Sequence, residues 1–304
     1  MNKTLLGIMC SDYSLPYLEN CLHSLEKTMG DDVDVTIFGF NGRKEIPLSH
    51  TRTRTHCIQR DLPYVFLGNQ DYVPMEKKYL TNRSEVSIYR FDILIMFRFC
   101  EMMYKKGYEE VYILHPDTII LKDFRPLFNK HKEDDWSIIM PFVSIKHPPE
   151  AIRISRETTL EDLAALPLGA VVVFNSDVNY EEACKLNSYD IAKTDVRLTG
   201  SIVLHNKKFI EAIYKQYGTE EKMFNELFLN TKYCGDCGWF DMIDCIGFKI
   251  RPIFDNILSE LPVLPRHPED NFYWLHGIPA KQLVTSLGFS VGSKNISKAL
   301  EDYL

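Results

Sequence analysis

The sequence predicts an α/β fold, because segments typical of strands and helices alternate along the chain. Residues 5–10 form a short apolar run typical of a strand, residues 15–28 carry leucines at helical spacing, and residues 33–40 again have the composition of a strand. Such alternation indicates a parallel sheet with helices on its faces. Ligands of open sheets lie beyond the carboxyl ends of the strands, so the residues that follow each strand are candidates for a binding site.

The composition fits a single enzyme and argues against several other classes of protein. The chain has 304 residues, 45% of them hydrophobic, which is enough for a buried core. Its formal net charge of -7 lacks the excess of Lys and Arg that nucleic-acid binding requires. No apolar run approaches the roughly 20 residues that span a bilayer, and the apolar part of the N-terminus is short for a signal peptide. We therefore expect a cytoplasmic protein without a transmembrane segment.

The cysteines are expected to be reduced thiols. Several lie in apolar settings, such as Cys57, Cys100 and Cys245. Cys234 and Cys237 form an isolated C-x-x-C pair, which we interpret as a Gly-containing turn because no second pair lies at zinc-finger spacing.

A polar segment at residues 50–56 is rich in His and Arg. Clustered surface charges usually lack a specific partner, so we expect a solvated loop here, with contact to a phosphate or an anionic acceptor as the alternative.

The most informative segment runs from residue 111 to residue 123. An apolar strand is interrupted by His115, Pro116 and Asp117 and resumes at residues 118–121. Hard divalent cations take oxygen ligands and share their coordination with substrate phosphates, so a carboxylate at a strand end is a candidate metal ligand. The alternative is that Asp117 only hydrogen-bonds the backbone of the turn.

A long helix is predicted over residues 84–106, with Ser84 as its N-cap and Gly107 as its stop. Arg90 lies within it. If its side chain turns inward, burial of its charge requires an anionic partner, such as Asp92, Asp123 or a ligand.

This order of elements resembles the GT-A glycosyltransferases, and most closely the family-8 group of glycogenin and the lipopolysaccharide galactosyltransferases. The resemblance rests on the helix with Tyr89 and Arg90, the apolar strand, the turn, and the run Ile-Leu-x-Asp-x-x-x-Leu-Phe at residues 120–128. In that group an Asp-x-Asp turn holds Mn2+ on the diphosphate of a UDP-sugar. Here His115 replaces the first Asp, and Asp117 matches the second.

The resemblance implies a GT-A-like, Rossmann-related fold with a mixed, mainly parallel sheet flanked by helices. Residues 1–304 would form one domain, with a nucleotide-binding half at 1–130 and an acceptor- and sugar-binding half, including the C-terminal closing segment, at 131–304.

The resemblance also implies nucleotide-sugar contacts in the first half of the chain. Cys10, Ser11 and Tyr13 follow the first strand, and Tyr13 would stack on the nucleobase or, alternatively, pack on the next helix. Arg90 would reach the nucleotide-sugar, and Pro116 would lie beside the diphosphate.

Further contacts are implied in the second half. Gly200 would let the backbone approach the sugar, although a rival placement of that motif exists at residues 168–175. Asp236 and Asp241 would contact the donor sugar and the reacting centre, with helix N-capping as the alternative. His276 would ligate the metal.

The closing segment continues after His276. It resembles the family's His-x-x-Gly-x-x-Lys-Pro-Trp segment with a shortened spacing and without the Pro-Trp. The resemblance implies that Gly277 lies at the nucleotide-sugar and that Lys281 contacts the diphosphate.

We therefore expect a glycosyltransferase that moves a sugar from a nucleotide-diphosphate sugar, a UDP-sugar by resemblance, to a hydroxyl of a carbohydrate or glycoconjugate acceptor with retention of configuration. The cofactor would be Mn2+ or Mg2+ on Asp117, His276 and His115. One alternative is an inverting enzyme with Asp236 or Asp241 as general base. Another is a catalytically inactive nucleotide-sugar-binding module, because the Asp-x-Asp turn is altered.

A third alternative, a sugar-1-phosphate nucleotidyltransferase, is disfavoured. It requires a Gly-rich phosphate loop with Arg after the first strand, and residues 11–13 do not resemble one.

Overall fold

The structure, a computed structural model, describes residues 3–12, 14–39, 51–67, 84–132, 136–145, 152–154, 172–174, 195–198, 201–223, 226, 250–253, 258–259 and 273–276. The helices are α1 Leu15–Met29, α2 Thr51–Gln59, α3 Ser84–Lys105, α4 Arg125–Asn129, α5 Lys207–Tyr217 and α6 Glu220–Met223. The strands are β1 Thr4–Met9, β2 Asp34–Gly39, β3 Tyr64–Phe66, β4 Glu110–Leu114, β5 Thr118–Ile120, β6 Ile138–Ile145, β7 Ile152–Ile154, β8 Val172–Phe174, β9 Asp195–Leu198, β10 Ile202–His205, β11 Ile250–Ile253, β12 Leu258–Ser259 and β13 Trp274–His276.

The main sheet has the strand order β11-β6-β10-β4-β1-β2-β3, and β9 pairs with β6. β1 is parallel to β2 and β4, β2 is parallel to β3, and β11 is parallel to β6. β10 runs antiparallel to β4 and β6, and β9 runs antiparallel to β6. The prediction of a mixed, mainly parallel sheet is thereby confirmed.

Two smaller sheets complete the strand pairings in the described residues. One has the order β12-β13-β5, and the other pairs β7 with β8. β13 is antiparallel to β5, with His276 opposite Thr118. This pairing brings a strand from the C-terminal part of the chain to the end of β4.

Both faces of the central strands are buried, which explains why the sequences of β1 and β4 are nearly continuous apolar runs. One face packs with α1, α4 and β13 in a core that includes Leu6, Ile8, Leu18, Cys21, Leu25, Tyr112, Leu114, Phe124, Phe128 and Trp274.

The opposite face of β1 lies against α3. A Cβ atom on Gly7 would lie 2.9 Å from Cζ of Phe99 and closer still to its Cε1. The Phe99 ring is stacked on Phe38 with a centroid distance of 4.1 Å, so it is held in place. The absence of a side chain at residue 7 therefore allows α3 to approach the sheet.

The predicted end of α3 is also confirmed. Gly107 has a φ of +103°, a conformation that favours glycine, and its N–H donates to the carbonyl of Tyr104 at 3.1 Å.

The prediction of a solvated loop at residues 50–56 is wrong, because most of that segment lies in α2. Asp12 caps this helix: its Oδ1 accepts from the backbone N–H of Thr53 at 2.8 Å and from the Thr53 hydroxyl at 3.0 Å. Glu19 of α1 lies 2.6 Å from Nε2 of His56 and also accepts from Arg60 at 3.1 Å. These contacts come from residues about 40 positions away, so local sequence gave no sign of them.

Cys57 and Cys100 are buried free thiols, as expected, and so are Cys10 and Cys21. Cys234, Cys237 and Cys245 lie outside the described residues.

Among the described residues, none of the helices is long and apolar enough to span a membrane.

Candidate metal centre

The candidate site lies where β1 and β4 end side by side. These strands are parallel, and Ile8 is the register partner of Leu114. Cys10 and Ser11 therefore leave β1 at the same edge of the sheet at which His115 leaves β4. This is the edge at which ligands of such sheets bind.

Three side chains meet at this edge: His115, Asp117 and His276. One potential ligand atom of each lies within 4.8 Å of the others. Nε2 of His276 is 3.3 Å from Oδ1 of Asp117, and the two imidazole centroids are 5.4 Å apart. The side chains of His276 and Asp117 are 13% and 24% exposed, so both remain partly open to solvent.

Ser201 holds two of these segments together from the first position before β10. Its carbonyl accepts from the backbone N–H of His115 at 3.1 Å. Its hydroxyl accepts from the indole N–H of Trp274 at 3.0 Å, in a buried contact. Because Trp274 lies two residues before His276 on β13, Ser201 ties the turn after β4 to the strand that carries the second histidine.

Helix α1 supports the turn from the other side. The hydroxyl of Ser24 accepts from the backbone N–H of Ile120 at 2.9 Å and donates to the carbonyl of Cys21 at 2.8 Å. Cys21 is fully buried, and burial, followed by the nearby Asp117 carboxylate, raises the pKa of its thiol. The cysteine therefore stays protonated and neutral beneath the site.

The electrostatics of the site favour a neutral His115. Burial of the imidazole, and next the neighbouring His276, lower the pKa of His115 from its usual 6.5 to about 4, although Asp117 opposes the shift. At neutral pH the ring therefore retains a lone pair, which is the form of histidine that ligates metals.

The donor set fits a divalent metal ion. Two imidazoles and one carboxylate are common ligands of first-row transition ions, and three protein ligands leave coordination positions open. Nδ1 of His276 is buried and has no hydrogen-bond partner among the described residues. The alternative is an ion pair between Asp117 and His276 without a metal.

The structure brings together His115, Asp117 and His276. Pro116 lies in the turn between His115 and Asp117. Cys10 is 1% exposed; burial raises the pKa of its thiol to about 12, against a contribution from Ser14 that lowers it. Ser11 is partly exposed, and its backbone N–H donates to the Ser14 hydroxyl at 2.9 Å.

The other predicted site residues are not placed. Tyr13, Gly200, Asp236, Asp241, Gly277 and Lys281 lie outside the described residues. Arg90 is part of α3, but its side chain belongs to the first turns, whose side chains are also outside the described part.

Asp123, which the sequence suggested as a partner for Arg90, is paired with Arg125. Its two carboxylate oxygens accept from Nε at 3.0 Å and from Nη2 at 2.7 Å.

Sequence reasoning missed Ser24, Ser201 and Trp274, which support the site, and it missed the role of Asp12 as the cap of α2. Asp12 lies three residues after the end of β1, in the segment where ligands of such sheets bind, and this position was a usable signal. Ser24, Ser201 and Trp274 act through tertiary contacts that no local pattern marks.

No protein-family model matches the chain, and no curated protein matches it in sequence. Among solved structures, the apo form of mouse xyloside xylosyltransferase 1 is similar with 12% identity and a TM-score of 0.46, over 91% of this chain and 97% of that one. An active-site mutant of LgtC is similar with 13% identity and a TM-score of 0.45, over 90% and 86% of the two chains. The galactosyltransferase LgtC in complex with donor and acceptor sugar analogues gives 11% identity and a TM-score of 0.43, with the same coverage.

Proposed function

We propose that this chain is a metal-assisted glycosyltransferase that uses a nucleotide-diphosphate sugar as donor. The observation that carries the proposal is the cluster of His115, Asp117 and His276 at the carboxyl edge of β1 and β4. Its first two members form the turn that resembles the Asp-x-Asp motif, and the third comes from the segment that closes the site in the resembling family. These residues are far apart in sequence and converge at one edge of the sheet, which supports the proposal.

The metal would be held by Asp117, His276 and His115. A bound divalent cation would neutralise the charge that develops on the leaving diphosphate. Asp117 supplies the negative charge of the ligand set, and the two imidazoles complete it. The half-buried position of the cluster limits access of water to the charged groups, which strengthens their interactions.

The remaining roles follow the resemblance. Arg90 and Lys281 would add positive charge around the diphosphate, and Tyr13 would stack on the base, which we take to be uracil. Cys10, Ser11 and Pro116 would line the nucleotide side, where the backbone approaches the ligand.

On the sugar side, Gly200 and Gly277 would allow close approach of the backbone. Asp236 or Asp241 would hold the sugar hydroxyls. The acceptor would be a hydroxyl of a carbohydrate or glycoconjugate.

We propose retention of anomeric configuration, as in the family-8 group. Proton NMR of the first product formed from an α-linked nucleotide-sugar distinguishes the two outcomes. An α-linked product supports retention, whereas a β-linked product would assign an inverting mechanism with Asp236 or Asp241 as general base.

The function is tested by a thermal-shift screen of nucleotide-sugars with and without Mn2+, followed by an assay for release of free sugar. A donor present at 100 times its dissociation constant stabilises the protein by about 2.7 kcal/mol. We expect stabilisation by a UDP-sugar that depends on the metal, and metal-dependent release of sugar. Stabilisation by no nucleotide-sugar at all would contradict the proposal.

A second candidate function is that of an inactive nucleotide-sugar-binding module, which the replacement of the first Asp by His115 favours. It predicts stabilisation by the donor without release of sugar under any metal condition.

A further inference from the structure

We infer that the site made by His115, Asp117 and His276 selects transition-metal ions such as Co2+, Zn2+ or Mn2+ and discriminates against Mg2+. The inference rests on the proposed function only in that it concerns the same metal centre. It depends on the chemical nature of the ligand atoms and is therefore tested without any nucleotide-sugar.

The ligand atoms are two nitrogens and one carboxylate oxygen. They are contributed by the turn after β4 and by the last residue of β13, and they lie within 4.8 Å of one another. Asp117 is the sole anionic member of this cluster. A metal ion bound here would take one carboxylate and two imidazoles from this cluster.

Such a set is a poor match for Mg2+. This small, hard ion demands oxygen ligands in a near-ideal octahedron at about 2.0–2.1 Å and gives up its waters reluctantly. Imidazole is a softer ligand that suits Zn2+, Co2+ and Ni2+, and the affinity of nitrogen and oxygen sites rises from Mn2+ through Co2+ toward Cu2+. Replacement of an anionic oxygen by the nitrogen of His115 therefore shifts preference away from Mg2+.

The surrounding contacts hold the two histidines in place. The backbone N–H of His115 is fixed by the carbonyl of Ser201 at 3.1 Å, and β13 is fixed two residues before His276 by the bond from Trp274 to the Ser201 hydroxyl. Substitution of His115 by Asp leaves these two hydrogen bonds available and replaces an imidazole nitrogen by a carboxylate oxygen. It therefore tests the effect of the ligand atom at residue 115.

The experiment is a titration of the full chain with Co2+, without nucleotide, followed by competition with other ions. Co2+ bound to nitrogen and oxygen ligands gives visible d–d absorption without a thiolate charge-transfer band, which separates this site from the cysteines. We expect Zn2+ to displace Co2+ readily, Mn2+ to do so at higher concentration, and Mg2+ to require at least about 10-fold more than Mn2+.

The variant His115→Asp should lose about 10-fold or more in Co2+ affinity and should gain affinity for Mg2+. The matched control is His56→Asn, since His56 lies on α2 beside Glu19 and outside the cluster. It should leave the ion ranking unchanged.

Comparable displacement of Co2+ by Mg2+ in the unaltered chain would overturn the inference, and this measurement does not depend on the folding of any variant. An unchanged ratio of Co2+ to Mg2+ affinity in a folded His115→Asp protein would also overturn it. If Mg2+ supported release of sugar equally well, the selectivity would fall and the glycosyltransferase proposal would stand. If the ion ranking held and no nucleotide-sugar bound, the selectivity would stand and the glycosyltransferase proposal would fall.

Discussion

The indole N–H of Trp274 donates to the hydroxyl of Ser201 across 3.0 Å, in a buried hydrogen bond between residues 73 positions apart. The same Ser201 accepts from the backbone of His115, and Trp274 lies two residues before His276. One serine thus joins the two segments that supply the histidines of the candidate metal centre.

Ser201→Ala should lower the free energy of unfolding by about 1–3 kcal/mol, because it leaves the buried N–H of Trp274 without its acceptor. Urea denaturation measures the loss. In a Trp274→Phe background the same substitution should cost less, since the donor is already gone. Equal losses in both backgrounds would show that the hydrogen bond contributes nothing.

Asp117→Asn should abolish metal-dependent release of sugar and leave the fold intact, because the change removes the ligand charge at nearly constant size. Circular dichroism checks the fold, and the release assay checks activity. Asp123→Asn is the matched control: it removes a carboxylate from the same part of the chain, one that pairs with Arg125, at a cost of about 1 kcal/mol or less. Undiminished release by Asp117→Asn would exclude this residue as a ligand of the proposed metal site.

His205 should make the protein less stable in acid. Burial lowers the pKa of its imidazole from 6.5 to about 3, so the unfolded chain binds this proton more readily than the folded one. The stability linked to His205 is therefore complete above pH 6.5 and is lost as the pH falls toward 3, at up to about 1.4 kcal/mol per pH unit.

His205→Leu should give a shallower dependence of unfolding free energy on pH over that range, measured by urea denaturation at several pH values. Part of the slope should persist, because the pKa of His115 is also lowered, to about 4. A slope identical to that of the unaltered chain would contradict the role of His205.

Gly7→Ala should destabilise the protein by about 1–3 kcal/mol, because the new methyl group overlaps the Phe99 ring, which is held by its stack on Phe38. Thermal or urea unfolding measures the change. The substitution should cost less in a Phe99→Leu background, where the smaller side chain leaves room. The same loss in both backgrounds would place its cause outside this contact.

Much of the fold could be predicted because the relevant patterns are local. The helical spacing of leucines in α1, the apolar run of β4 and the stop at Gly107 each involve neighbouring residues, and the structure agrees to within about one or two positions. The helix α2 was missed for the converse reason. Its composition is polar, and it is held by Asp12, in the loop after β1, and by Glu19 of α1.

The sequence by itself determined the strand–helix alternation and the turn that carries His115 and Asp117, because backbone propensity and burial leave their pattern in consecutive residues. Only the tertiary structure decided that His276 lies beside Asp117. That proximity follows from the antiparallel pairing of β13 with β5 and from the bridge through Ser201, and both join residues more than 70 positions apart. Pairing over such distances is selected by the packing of the whole core, which no short stretch of sequence records.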